Sequence, residues 1–123
     1  MLVPLVDMTC VEILTLTDYT GSGASSTGID VSAYEGEALV LVATKKVVQG
    51  TFNLNCNAGA TTAGGTAVAS LIFAEVTSAA TSFQVLSVNL SEIGKYLRAT
   101  WTNAGASSEY IVGVWLFAQK KYS

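Results

Sequence analysis

Apolar and polar residues alternate along this chain with a period of two, and no segment repeats at the 3.6-residue spacing of a helix. The clearest case is 51–57, where Phe52, Leu54 and Cys56 alternate with Asn53, Asn55 and Asn57. Side chains of a strand point to opposite faces in turn, so this segment predicts a strand with one buried and one wet face. Residues 9–17 set Cys10, Glu12, Leu14 and Leu16 opposite Val11, Ile13, Thr15 and Thr17. In 83–90, Leu86, Val88 and Leu90 stand opposite Val85, Ser87 and Asn89, and in 96–102, Leu97, Ala99 and Trp101 stand opposite Tyr96, Arg98, Thr100 and Thr102. Two segments are apolar on both faces. In 37–48, Leu39 and Leu41 oppose Val40 and Val42, and 109–120 holds the longest apolar run, 111–118, with Trp115 and Phe117. Such runs suit central strands, or strands whose second face a partner covers.

Loops rich in Gly, Ser, Thr and Ala separate these segments at 18–28, 58–65, 78–82 and 103–108. Gln49-Gly50 reads as a hairpin turn, and 96–102 with 109–120 as a second, apolar hairpin. Shorter extended pieces at 29–36 and 67–77 bring the total to about eight strands, and Ile93 in the link 91–94 plugs one end of the core. The pattern predicts an all-β, single-domain antiparallel β-sandwich, jelly-roll-like in topology. The domain is expected over 9–123, preceded by an N-terminal arm, 1–8. That arm carries Leu2, Val3, Pro4, Leu5 and Val6. A proline there does not suit a central strand, so the arm either docks on a neighbouring surface or frays.

Composition sharpens the picture. Half of the 123 residues are hydrophobic and 12% are charged, about half the ordinary share of roughly 25%. So few charges leave much apolar surface to cover, which predicts burial against copies or a partner. Six basic residues and a net charge of −3 cannot supply the basic stripe that nucleic acid needs. No apolar run reaches the roughly 20 residues of a membrane span, and MLVPLVDM lacks the marks of a signal peptide, so synthesis in the cytoplasm is expected. Histidine is absent. Ser–His and Cys–His catalysis are therefore excluded, and no cofactor, metal or catalytic residue is assigned. Cys10 and Cys56 are expected to be free, buried thiols.

Two stretches carry a family resemblance. DVSAYEGEALVLVA at 30–43, and GKYLRATWT at 94–102 together with VWLFAQKKYS at 114–123, resemble segments of small virion structural proteins of tailed bacteriophages, of the capsid decoration (cement) type. The resemblance covers about a third of the chain and leaves 51–82 unmatched. It implies a non-enzymatic β-sandwich on the capsid surface, made in the host bacterial cytoplasm. The implied partners are the major capsid protein and copies of itself, in a trimer.

Several residues remain to be weighed. Tyr34, in the matched SAYEG, either packs its ring on the core or contacts a partner. Arg98, the sole arginine, either pairs with Glu92 or Glu109 or bridges to a neighbouring subunit. Lys120, Lys121 and Tyr122 form either a solubilising end or a tail for an acidic patch on the capsid protein. With Leu2, Val3, Pro4, Leu5 and Val6, these are the candidate capsid or subunit contacts. Glu35 and Glu37, near Asp30, read as a solvated turn before a cation site or a carboxylate pair. Trp101 and Trp115 read most simply as core, although with Tyr110 they would also make a sugar-stacking platform. The rival functions are a virion-displayed carbohydrate- or cell-surface-binding module and a head–tail connector or tail component.

Overall fold

The computed structural model of the chain describes residues 8–20, 24–48, 50–63, 65–77, 80–104 and 109–120. Leu2, Val3, Pro4, Leu5, Val6, Lys121 and Tyr122 lie outside the described residues. Among the described residues nine strands are formed: β1 Thr9–Thr20, β2 Ala24–Ser25, β3 Ile29–Asp30, β4 Tyr34–Val48, β5 Thr51–Gly59, β6 Thr66–Ile72, β7 Ser82–Asn89, β8 Tyr96–Ala104 and β9 Glu109–Lys120. A 3-10 turn, Leu90–Glu92, is capped by the Asn89 side chain, which accepts from the Ser91 N–H. The strands make an antiparallel β-sandwich. Sheet I runs β1-β9-β4-β7, and sheet II runs β2-β8-β5-β6 with β3 also on β8. Each early strand takes its partner from the later half in reverse order: β1 with β9, β2 and β3 with β8, β4 with β7, β5 with β6. That nested order is the winding of a jelly roll.

The alternation places the core as expected. Phe52, Leu54, Cys56, Leu97, Ala99 and Trp101 line the inner face of sheet II and are buried. Val40, Val42, Val112, Val114 and Leu116 face them from sheet I and are almost fully excluded from solvent. Aromatic rings cluster at one end of this layer, where Tyr19 pairs with Tyr110 across β1 and β9. Phe52 meets Tyr110 at 5.2 Å between centroids, and Tyr19 meets Trp101 edge-on at 4.9 Å. The buried Tyr110 hydroxyl donates to the carbonyls of Gly50 (2.7 Å) and Val76 (3.0 Å), tying sheet I to sheet II. Ile93 packs against the core edge, as its position in the link suggests.

Neither expected hairpin forms. β4 and β5 lie in opposite sheets across 49–50, and so do β8 and β9 across 105–108. A connection of a few residues spans the roughly 10 Å between packed sheets as readily as it reverses a chain within one. The segment 67–77 is also only partly strand. β6 stops at Ile72, and the chain then crosses towards the core, where the Phe73 N–H donates to Leu54 O and Val76 bridges Phe52.

Candidate functional site

The parity that buries Val112, Val114 and Leu116 sends Ile111, Gly113, Trp115 and Phe117 to the opposite face of β9. Trp115, expected in the core, is half-buried on the outside of sheet I. Counting apolar volume placed it inside; strand parity places it outside. Its cross-strand neighbours continue the apolar surface. Leu41 of β4 lies opposite Trp115, and Val85 of β7 lies opposite Leu41. One row along, Leu39 stands opposite Phe117, which in turn stands opposite Cys10 of β1. In the other direction Ala43 stands between Gly113 and Phe83. Phe83 is 66% exposed, Val85 53% and Leu16 52%.

These ridges border a groove of about 510 Å³ floored by Leu41, Ala43, Ile111, Trp115 and Phe117. A shallower hollow of about 160 Å³ among Leu39, Leu41, Val85 and Phe117 extends it. Gly113 makes the groove possible. A Cβ there would lie 2.5 Å from Trp115 Cη2 and 3.0 Å from Leu16 Cδ1, so the indole rests across the bare glycine.

Charge is confined to the margins of this face. Glu12, on the edge strand β1, accepts a hydrogen bond from the Thr15 hydroxyl (3.1 Å). Asp18 and Lys45 flank Ile111 in one cross-strand row. A hydrogen bond with Asp18, then partial desolvation, then the Asp18 charge hold the Glu109 carboxyl above its usual range. The ion pair recorded among the described residues, Lys95 with Asp30 at 3.8 Å, lies elsewhere and is exposed.

The outer face of sheet II is the reverse. Asn53, Asn55 and Asn57 stand opposite Thr102, Thr100 and Arg98. These side chains bond among themselves and to nearby groups: Asn53 donates to Glu75 (3.1 Å), Asn55 donates to Asn57 (2.6 Å), and Ser25 and Thr100 share a bond (3.1 Å). Arg98 pairs with neither Glu92 nor Glu109, and its Nε is buried with no hydrogen-bond partner.

The sequence candidates scatter. Tyr34 is half-buried against the core, its N–H donating to Val31 O. It stands opposite the exposed Lys120, so these two share one end of sheet I. Arg98 lies on the other sheet. Glu35 and Glu37 are exposed on either side of Gly36, whose φ of +72° bends the strand. Asp30 is occupied by Ser32, whose N–H and hydroxyl it accepts at 2.9 and 2.6 Å; those bonds hold its carboxyl below the usual range. No group of three metal-ligating side chains occurs among the described residues. Both cysteines are free, but only Cys56 is buried; Cys10 faces outward because it shares the register of Phe117. Burial pushes the Cys56 thiol up to about 12, which leaves it unreactive. The apolar ridge of Leu16, Phe83 and Val85 was not among the candidates. Its signal was already present in the two-sided apolarity of 37–48 and 109–120.

No family model matches the chain, and no curated protein matches it. Solved structures do. A structure of the Gx strain of infectious bursal disease virus superposes with a TM-score of 0.57 at 14% identity, over 94% of this chain and 32% of that one. The T=1 particles derived from infectious bursal virus give 0.59 at 11%, over 92% and 31%. The VP2 subviral particle of infectious bursal disease virus gives 0.58 at 11%, over 92% and 32%. The chain thus spans about a third of the length of these proteins. At such identity the likeness is one of fold: a viral jelly-roll sandwich and this chain share an architecture.

Proposed function

We propose that this chain is a structural virion protein, a decoration protein that docks on the outer face of a tailed-phage capsid and stabilises the shell. The observation that carries the reading is the outer face of sheet I, which bears apolar side chains on each of its four strands, is ridged by Phe83, Val85 and Leu16, and has charge only at its margins. A lone soluble domain has no use for such a face; an assembly protein does. The resemblance at 30–43, 94–102 and 114–123 supports the address on a phage capsid, and the absence of histidine suits a role without catalysis. The partners are the major capsid protein and neighbouring copies, with Tyr34, Lys120 and the segments at either end of the chain as further contacts.

The mechanism is additive burial. A copy that binds the intact shell and not the ruptured one stabilises the shell by mass action. Copies that also touch one another raise each other's effective concentration. Depleting the protein from particles and heating them tests this. Decorated shells are expected to release DNA at a higher temperature than bare ones, and equal temperatures would overturn the role. Hundreds of copies per particle are expected; a dozen or fewer would mark a connector or tail component instead.

Trp115 favours one second reading, a carbohydrate-binding module, because its indole is reachable from solvent. Its neighbours Leu41, Phe117 and Phe83 offer no hydrogen bonds to sugar hydroxyls, and buried hydroxyls without partners are costly. Quenching of Trp115 fluorescence by host glycans would support that reading.

A further inference from the structure

We infer that the outer face of sheet I is self-complementary and takes a second copy of this chain, about a two-fold axis that runs along the strands between β9 and β4. This rests on the proposed assembly role only for its place on a shell; the pairing itself follows from the face. The rows fixed by strand register are Cys10–Phe117–Leu39–Ser87, Glu12–Trp115–Leu41–Val85, Gly113–Ala43–Phe83 with Leu16 alongside, and Asp18–Ile111–Lys45.

A two-fold along the strands keeps each row at its own level and reverses its order. It sets Trp115 of one copy over Leu41 of the other, and Phe117 over Leu39. The exposed Phe83 ridge then meets Leu16, at the mouth of the groove that Gly113 leaves open. Aligned sheets pack face to face at about 10 Å in this manner.

Charge picks out the same axis. Lys45 lies two strands from Asp18 in one row. Reversing that row lays Lys45 of each copy over Ile111 of the other, one strand from its Asp18. Two cross-copy ion pairs result, where among the described residues of a single copy neither side chain has an ion pair. Glu12, on the edge strand, keeps its carboxylate at the open rim. An axis across the strands instead would set Lys45 over Leu39 and Phe117 and leave it unpaired.

Area fixes the strength. Four strands about 4.8 Å apart and four rows about 6.7 Å apart give roughly 400–500 Å² per copy. A standard interface buries about 800 Å² per partner. The pair is therefore weak in solution and persists where copies are held at high local density, as on a lattice.

Sedimentation equilibrium of the full chain from about 1 µM to 1 mM tests the inference. A reversible monomer–dimer equilibrium is expected, with Trp115 emission shifting to the blue as the dimer forms. Phe83→Asp should weaken the dimer at least tenfold, roughly, by burying a charge. Lys45→Asp should weaken it about tenfold, because each dimer has two such pairs. Adding Asp18→Lys to Lys45→Asp should restore affinity to within about twofold of the original, since the swap regenerates both pairs. All three residues concerned are on the surface, and near-ultraviolet circular dichroism checks that each variant is folded. A monomer across the whole range, a trimer, or a double variant as weak as the single one would overturn the inference. A monomer whose Phe83→Asp variant loses capsid binding would leave the proposed function standing and assign this face to the capsid instead.

Discussion

The two outer faces of this sandwich are built on the same plan and finished in opposite ways. Sheet II shows water a ladder of Asn53, Asn55, Asn57, Thr100 and Thr102, in which Asn55 bonds to Asn57, Asn53 to Glu75 and Thr100 to Ser25. Sheet I shows water Leu16, Leu41, Phe83, Val85, Trp115 and Phe117. A chain with this little charge can still make a wet face without charge, because sheet II does so with amides and hydroxyls. The apolar face of sheet I is therefore no by-product of composition. The two tryptophans report the contrast directly: Trp101 is 6% exposed inside sheet II, and Trp115 lies half-buried outside sheet I.

That contrast can be broken most forcefully at the tryptophans. Trp101→Ala should cost about 3–5 kcal/mol in urea unfolding, and Trp115→Ala less than about 2 kcal/mol, since only part of its area is withdrawn from water. Equal costs would mean that the outer face of sheet I is covered within the monomer. Gly113→Val comes next. It forces the indole and Leu16 aside and should cost about 1–3 kcal/mol; made in a Trp115→Ala background, the same change should cost distinctly less, which a double-mutant cycle measures. The smallest effect on stability is expected from exchanging surface character. Val85→Thr should alter unfolding by no more than about 0.5 kcal/mol while lowering the binding of a hydrophobic dye. Asn55→Val should raise dye binding on the other sheet.

The strands of sheet II were legible because their two faces differ in kind: Phe52, Leu54 and Cys56 against three asparagines leave one reading. In β4 and β9 both faces are apolar, so alternation locates the strand without saying which face is inside. Trp115 was misplaced for that reason. Pairing was less legible still. The few residues between β8 and β9 suit a hairpin and a crossing between sheets equally, and only the packing of the whole sandwich decides. The apolar outer face of sheet I was half visible. Two-sided apolarity suits a central strand as well as a covered face, and Phe83 and Val85 join the surface only through the register of β7 on β4, which links residues forty or more positions apart. The residues taken from short matched motifs lie apart, because such motifs mark turns and strand ends: Tyr34 packs its ring on the core, one of its two expected places, and Arg98 sits on the polar face of sheet II.

The place of β9 has a consequence for how the protein is made. It lies between β1 and β4 in sheet I and carries Tyr110, whose hydroxyl joins the two sheets. During synthesis, β1 and β4 leave the ribosome well before the strand that must separate and pair them. Until β9 arrives, the partners waiting on either side of it present unpaired edges and two apolar faces to solvent, a template for joining the wrong chain. Loop closure between such distant segments is slow. Of the nine strands, β9 emerges after both partners it joins in sheet I, and the yield of native protein in a cell should depend on how quickly β9 follows them or how well they are shielded while they wait.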